Sequence, residues 1–188
     1  MTKDHTRKIH PYKFTLWVAI GSITMMFAGF TSAYIVKRNE VNWQGFDLPL
    51  VFYYSTAVIV ISSMTMQFAL RNFRFHNMVL YRRLLLATAL LGAVFMAMQW
   101  LGFQTLQDNG IKLIGPGSNV SGSFLAVIVG VHMAHVLGGI IALVLMFRKA
   151  FSHKSRVYSR TGVEVMATYW HFVDILWIYL FFFLTLVA

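Results

Sequence analysis

The sequence contains no cysteine, and only 12% of its 188 residues are Asp, Glu, Lys or Arg. Soluble domains carry about 25% charged residues, so this chain has too little charge to cover a water-exposed globule of its size. The lack of cysteine excludes disulfides, thiolate metal sites and cysteine-held iron–sulfur clusters. Proline is scarce too, and Pro11, Pro49 and Pro116 all lie outside the long apolar runs. These shortages indicate a membrane protein built from uninterrupted helices.

Five apolar stretches are each long enough to cross a bilayer as a helix, which takes about 20 residues. They are residues 14–36, 50–70, 84–106, 121–147 and 163–187. The first four contain no Asp, Glu, Lys or Arg. Because lipid cannot hydrogen-bond an open backbone, such runs must be helical. The sequence therefore predicts an all-α, polytopic protein with five transmembrane helices in a single membrane domain, 1–188.

The formal charge of +10 is concentrated between the apolar runs. Thirteen of the sixteen Lys and Arg residues lie in the N-terminal segment and in the connections after spans 2 and 4. This asymmetry is typical of the positive-inside rule, and it predicts a cytoplasmic N-terminus and an outer C-terminus rather than a nucleic-acid partner. Four of these residues are also candidate contacts for anionic lipid head groups: Arg71, Arg74, Arg82 and Arg83.

A few polar side chains lie at membrane depth: Gln99 in span 3, His132 and His135 in span 4, and His171 and Asp174 in span 5. Residues three apart share one side of a helix. The His132/His135 and His171/Asp174 pairs also lie at similar depth on consecutive antiparallel helices. An unpaired charge at that depth costs several kcal/mol. We therefore expect Asp174 to face helix 4 and to pair with His132 or His135.

Two interpretations of this polar cluster stay open. The favoured one is a hydrogen-bonded clasp between packed helices, since intramembrane histidines bond across helices. The other is a haem or metal site, or a proton relay. Against ligation, His132 and His135 lie one turn apart on a single helix, whereas a haem between two helices needs one histidine from each, and His171 is the remaining candidate. Glu164 lies at the interfacial start of span 5, where the helix dipole favours a carboxylate.

Small residues recur at helical spacing on two of the spans. Gly130, Ala134 and Gly138 form such a stripe in span 4, next to Gly139. A second stripe lies in span 1: Gly21, Ala28, Gly29, Ser32 and Ala33. Small residues at this spacing let helix backbones approach closely, so both stripes predict helix–helix contacts.

The segment 169–174 (Tyr-Trp-His-Phe-Val-Asp), followed by Trp177, closely resembles the last helix of cytochrome c oxidase subunit III, in the haem–copper oxidase superfamily. Residues 122–124 and the GxHxxHVxxG pattern at 130–139 resemble the preceding helix of that family, and 91–99 resembles the helix before it. Ser62-Ser63 and residues 27–30 also fit, in the same order and spacing. The chain resembles the five-helix form, which lacks the first two of seven helices.

The resemblance implies a helical bundle split by a lipid-filled cleft, with helices 1–2 on one side and helices 3–5 on the other. It implies a non-catalytic subunit of cytochrome c oxidase that binds no haem or copper itself. Such a subunit packs on subunit I, which carries the redox centres and reduces oxygen while protons are pumped. It also stabilises the complex, supports proton uptake and binds phospholipids. The resemblance also implies that the chain contacts other oxidase subunits, that the oxidase joins a larger respiratory assembly, and that it lies in a bacterial inner membrane.

One position departs from the family pattern: Ile23 stands where many members carry a glutamate, whereas Glu164 and Asp174 match the family's acids in the last helix. A near alternative is subunit III of a quinol oxidase, which shares these motifs. A more distant one is a membrane cytochrome b that ligates haem through His132, His135 or His171. A transporter is disfavoured, because transporters commonly have helices interrupted by Gly or Pro.

Overall fold

The structure, a computed structural model, describes residues 11–38, 43, 45, 47–113, 115, 118–151 and 160–187, the side chains of 149–151 and 160 excepted. Part of the charge count therefore lies outside the described residues, including Lys3, Arg7, Lys8, Lys154 and Arg156.

Five helices make up the described chain: α1 (Pro11–Lys37), α2 (Leu50–Arg74), α3 (Met78–Asp108), α4 (Val120–Phe151) and α5 (Arg160–Val187). Each predicted apolar run lies inside one helix, and all five helices are long and apolar enough to cross a membrane. The described residues contain no strand. The prediction of an all-α protein with five spans is confirmed.

The turns between the helices follow from local sequence. Asn77 caps α3 by accepting a hydrogen bond from the Leu80 backbone N–H at 3.3 Å, as Asn commonly does at a helix start. After α3, Gly110 adopts the left-handed conformation (φ 85°), which glycine takes without steric cost. The next N–H, from Ile111, then donates back to the Leu106 carbonyl at 3.1 Å. Both turns reverse the chain, so α2 and α3, and likewise α3 and α4, run antiparallel.

The helix contacts differ from the expected division into helices 1–2 and helices 3–5. The most extensive contact joins α2 and α3, and α5 contacts α1, α2 and α4, while α4 contacts α1, α3 and α5. Among the described residues, α1 and α2 make no close helix–helix contact. The expected cleft grouping is therefore wrong for α1 and α2. The three-residue turn 75–77 forces α2 onto α3, whereas the longer connection 38–49 lets α1 pack elsewhere.

Trp170 and Trp177 of α5 are the largest fully buried side chains. The Trp170 ring fits against two glycines, Gly92 of α3 and Gly139 of α4. A Cβ at either position would lie 2.9 Å from a ring carbon of Trp170. Gly102 of α3 makes the same kind of room for Phe52, at 2.6 Å. Without these glycines, α3 and α4 could not approach the aromatic side chains as closely.

The two predicted stripes of small residues point outward instead. Gly130, Ala134 and Gly138 are exposed on α4, and a Cβ at either glycine would meet nothing within 4 Å. On α1 the whole stripe is exposed as well: Gly21, Ala28, Gly29, Ser32 and Ala33. Of the small residues predicted to make close helix contacts, Gly139 alone makes one within the described part of the chain, against Trp170. The spacing of small residues identifies a smooth face, but it does not say which neighbour covers it.

Candidate functional site: the polar residues between α2, α4 and α5

His171 is held by α2. Its Nδ1 lies 2.7 Å from the Ser63 hydroxyl, and its Nε2 lies 3.2 Å from Gln67 Oε1. The His171 side chain is half-buried, and Gln67 is exposed one turn further along α2. The imidazole thus joins α5 to α2 through both ring nitrogens.

Asp174 is only 2% exposed, and neither carboxyl oxygen has a hydrogen-bond partner among the described residues. The prediction that it pairs with His132 or His135 is wrong. The polar side chain that acts on the Asp174 carboxyl is Ser63 of α2 instead, without a hydrogen bond between the two. The reason lies in the neighbouring turns of α5, where Trp170 and Trp177 occupy the space against α3 and α4. The side chain between them is left facing α2.

His132 is fully buried in an aromatic cage formed by three helices. Its ring centroid lies 5.1 Å from that of Trp177, 6.1 Å from Phe95 and 6.3 Å from Phe27. Neither ring nitrogen has a hydrogen-bond partner among the described residues. His132 therefore fills space between α1, α3 and α5 rather than clasping α5 by a hydrogen bond.

His135 is half-buried and lies on the same side of α4, with its ring 5.9 Å from Phe27. Its Nδ1 lies 2.8 Å from the Val131 carbonyl, one turn back on its own helix. Its backbone carbonyl accepts a hydrogen bond from the Tyr169 hydroxyl at 3.0 Å. The link from α4 to α5 at this level is thus made by a tyrosine and a carbonyl, not by the imidazole.

Gln99 of α3 is fully buried, and its amide donates to the Ser55 hydroxyl of α2 at 2.8 Å. Ser55 in turn donates to the Phe52 carbonyl at 2.8 Å. Gln99 therefore belongs to the α2–α3 contact, separate from the histidines and Asp174.

A row of hydroxyl side chains on α2 takes part in most of these hydrogen bonds, a role that was not predicted from the sequence. The row consists of Ser55, Thr56, Ser62, Ser63 and Thr65. The indole N–H of Trp177 donates to Thr56 at 3.0 Å, and that of Trp170 donates to Ser62 at 3.2 Å. The available signal was the seven-residue repeat of two adjacent hydroxyl residues, which places both pairs on one face of a helix.

The three intramembrane histidines thus lie in three separate environments. In the described part of the chain, no group of three His, Asp or Glu side chains is placed to hold a metal ion. The geometry supports a structural reading, in which α2 binds α5 and α3 through hydroxyl, indole and imidazole groups.

At the end of the bundle where Lys13, Arg71 and Arg74 lie, here called the basic end, Glu164 bridges three helices. Its Oε2 lies 3.0 Å from Lys13 Nζ, and its Oε1 lies 3.7 Å from Arg74 Nη2. These side chains are partly exposed, so each pair contributes at most about 1 kcal/mol. The Arg71 guanidinium lies 5.9 Å from the centre of the Phe75 ring. Arg82 and Arg83, at the start of α3, are half-buried and exposed, respectively.

The motif residues of α5 thus sit at the centre of the bundle, in the positions that join the last helix to α2, α3 and α4. Over residues 4–187 the chain matches the sequence profile of the family described as cytochrome c oxidase subunit III. The chain belongs to the cytochrome c oxidase subunit III family. The match covers all five helices, so the family resemblance seen in the motifs is confirmed.

Curated members of the subunit III family are similar along most of their length. The chain is 32% identical over 187 residues to the probable cytochrome c oxidase subunit 3 of Nocardia farcinica, covering 94% of this chain and 91% of the relative. It is 31% identical over 177 residues to the subunit 3 of Corynebacterium diphtheriae, covering 87% and 85%. It is 29% identical over 174 residues to that of Bacillus sp. strain PS3, covering 88% and 80%.

Ile23, which the resemblance places where many family members carry a glutamate, is half-buried on α1 and packs against the apolar core. The residue is therefore used here as an apolar packing group.

Proposed function

We propose that this chain is a structural, non-catalytic subunit III of a proton-pumping haem–copper terminal oxidase, a cytochrome c oxidase, folded as a single membrane domain. The proposal is supported by the contacts that the family motif in α5, residues 169–174 and Trp177, makes with α2. His171, Trp170 and Trp177 each bind a hydroxyl or amide of α2, so the motif holds helices together. The haem and copper of the complex belong to the partner subunits.

The outward stripes of small residues on α1 and α4 are suited to contact with another transmembrane subunit, subunit I above all. Side chains without bulk let a second helix approach closely, and close approach is the main source of helix association in lipid. Large apolar side chains flank the stripes and face outward too, such as Trp17 and Met25 on α1 and Leu137 and Ile141 on α4. They are in place to contact lipid or the partner. Other oxidase subunits and a larger respiratory assembly are further partners under this proposal.

Purification of the affinity-tagged chain from its native membrane tests the proposal. We expect it to bring down an oxidase that contains haem and copper in other subunits, identified by mass spectrometry and by an optical spectrum. The same chain isolated from that complex should show no Soret band. A chain that purifies alone with a Soret band, lost when His132 or His135 is replaced, would instead establish the membrane cytochrome b alternative.

The electron donor separates cytochrome c oxidase from the quinol oxidase alternative. The names of the bacterial relatives favour cytochrome c. Turnover of the purified complex with reduced cytochrome c, and none with a quinol, is the expected result. The opposite preference would assign the chain to a quinol oxidase.

We propose that the basic end faces the cytoplasm in a bacterial inner membrane, with the C-terminus on the periplasmic side. The asymmetry of Lys and Arg supports this orientation. At that end a groove of about 470 Å³ combines the cations of Arg71 and Arg74 with the apolar side chains of Phe68 and Leu70. A cationic rim over an apolar groove suits an anionic phospholipid, whose head group and acyl chain it would meet together.

The lipid proposal predicts a loss of anionic phospholipid when the rim is neutralised. In the variant that combines Arg71→Gln and Arg74→Gln, we expect less anionic lipid to co-purify with the complex, since each cation near the surface contributes about 1 kcal/mol. The matched control combines Lys37→Gln and Arg38→Gln at the opposite end and should retain the lipid. Equal lipid content in both variants, measured by mass spectrometry of the extracted lipids, would contradict the site.

A further inference from the structure

Asp174 is a buried carboxyl that the helix-holding role of the motif does not explain. It is 2% exposed in the middle of an apolar span, and neither oxygen has a hydrogen-bond partner among the described residues. A carboxylate left unpaired at this depth costs several kcal/mol, whereas a neutral carboxylic acid avoids that cost. We infer that Asp174 is a proton-binding site inside this subunit, and that Ser63, His171 and Gln67 form a relay connecting it to the basic end of the bundle.

The relay is a row of polar groups on the two helices that flank the carboxyl. The Ser63 hydroxyl is 2.7 Å from His171 Nδ1. Ser63 also acts on the Asp174 carboxyl, without a hydrogen bond between the two. His171 Nε2 is 3.2 Å from Gln67 Oε1. Gln67 is exposed and lines a groove with Arg71 and Arg74, near the end of α2. Ser63, Gln67 and Arg71 are spaced four residues apart on α2, so each step advances about 6 Å toward the basic end.

The hydrogen bonds fix how a proton leaves Asp174. Gln67 Oε1 accepts from His171 Nε2–H, so neutral His171 has a free lone pair on Nδ1, and the Ser63 O–H donates to it. A rotation of the Asp174 side chain that brings its carboxylic acid O–H onto the Ser63 oxygen completes the chain of hydrogen bonds. Ser63 then passes its own proton to Nδ1 and takes the proton of the acid. The products are an Asp174 carboxylate, an unchanged Ser63 hydroxyl and a His171 imidazolium. The imidazolium then releases its Nε2 proton to water in the groove beside Gln67, and proton entry is the reverse.

The surroundings of the carboxyl favour this route over others. α5 itself contributes His171, and α4 contributes His132 and His135. His132 is enclosed by aromatic rings, and His135 is bonded to its own helix. At this level α2 contributes hydroxyl groups, while α3 contributes Thr88 and Gln99, which do not titrate. Among the described residues, only His171 combines a titratable ring with hydrogen bonds on both nitrogens.

Infrared spectroscopy of the full chain in lipid nanodiscs tests the inference. At neutral pH we expect the C=O band of a protonated carboxylic acid that disappears in Asp174→Asn. On transfer to heavy water, His171→Gln and Ser63→Ala should slow the isotope shift of this band about 10²-fold, the scale of a lost proton-transfer group. Ser63→Thr, which keeps the hydroxyl, should restore the rate. The matched control is His135→Gln, which should exchange as the unaltered chain does.

Two results would overturn the inference. One is a spectrum without a protonated carboxyl band assignable to Asp174. The other is an exchange rate that stays unchanged in both His171→Gln and Ser63→Ala. The measurement needs no other subunit, so it stands apart from the co-purification that tests membership in an oxidase.

Discussion

Replacing Trp177 by alanine is expected to lower the free energy of unfolding of this chain by about 3–5 kcal/mol, as is typical of large-to-small changes at buried tryptophans. The Trp177 ring is fully buried and lies 5.0 Å from Phe95 and 5.1 Å from His132 between ring centroids. It also stacks on Phe52 at 6.4 Å, with an interplanar angle of 17°. Removing it leaves an internal cavity that lipid tails cannot reach, so these dispersion contacts are lost outright.

The matched control for this prediction is Trp100→Ala on α3. Trp100 is 62% exposed, so lipid replaces its contacts in the folded chain and we expect a much smaller change. Unfolding in mixed micelles, monitored through the helix content, gives the free energy of unfolding of each variant. Equal losses for Trp177→Ala and Trp100→Ala would show that the aromatic cage around His132 does not stabilise the bundle.

Gly139→Leu is expected to destabilise the chain by about 1–3 kcal/mol or more, the range of overpacked cores. A Cβ at Gly139 would lie 2.9 Å and 3.1 Å from two ring carbons of Trp170, and 3.3 Å from a ring carbon of Tyr169. Trp170 is itself packed against Gly92 on its other side, so the ring has no room to retreat. Leucine at 139 must therefore separate α4 from α5.

The neighbouring substitution, Gly138→Leu, separates packing inside the chain from packing against a partner. A Cβ at Gly138 would meet no atom of the described residues within 4 Å, so the unfolding free energy of the isolated chain should hardly change. If the outward stripe contacts another subunit, as proposed, the same variant should lower the yield of assembled oxidase. Thermal unfolding of the isolated chain and the yield of co-purified haem measure the two effects. An isolated chain that tolerates Gly139→Leu as well as Gly138→Leu would contradict the packing of Trp170.

The five helices could be predicted from the sequence because each span depends on local composition alone. A run of about 20 apolar residues has no stable alternative to a helix in lipid. The cost of a polar group facing lipid also led to the expectation that Asp174 is directed at a neighbouring helix, and Asp174 is 2% exposed. The sequence pattern could not predict which helix His171 and Asp174 face. Periodicity places residues on one side of a helix, but it does not rotate the helix relative to its neighbours.

The polar contacts show this limit most clearly. The sequence predicted a pairing of Asp174 with a histidine of α4, since sequential antiparallel helices often touch. In the structure, Trp170 and Trp177 occupy the space toward α3 and α4. Ser63 of α2 forms a hydrogen bond with His171, and Asp174 has no hydrogen-bond partner among the described residues. Similarly, the small-residue stripe around Gly138 was expected to be a helix contact, yet the contact is made by Gly139, one residue away.

The sequence by itself therefore determined the number, length and apolar character of the helices, together with the family, because these follow from composition and from motifs read along one chain. The tertiary structure decided the partners: α2 rather than α4 for His171, an aromatic cage for His132, and a carboxyl without a hydrogen-bond partner at Asp174. The physical reason is that side chains of very different size compete for the same space between helices. The outcome of that competition depends on all five helices at once.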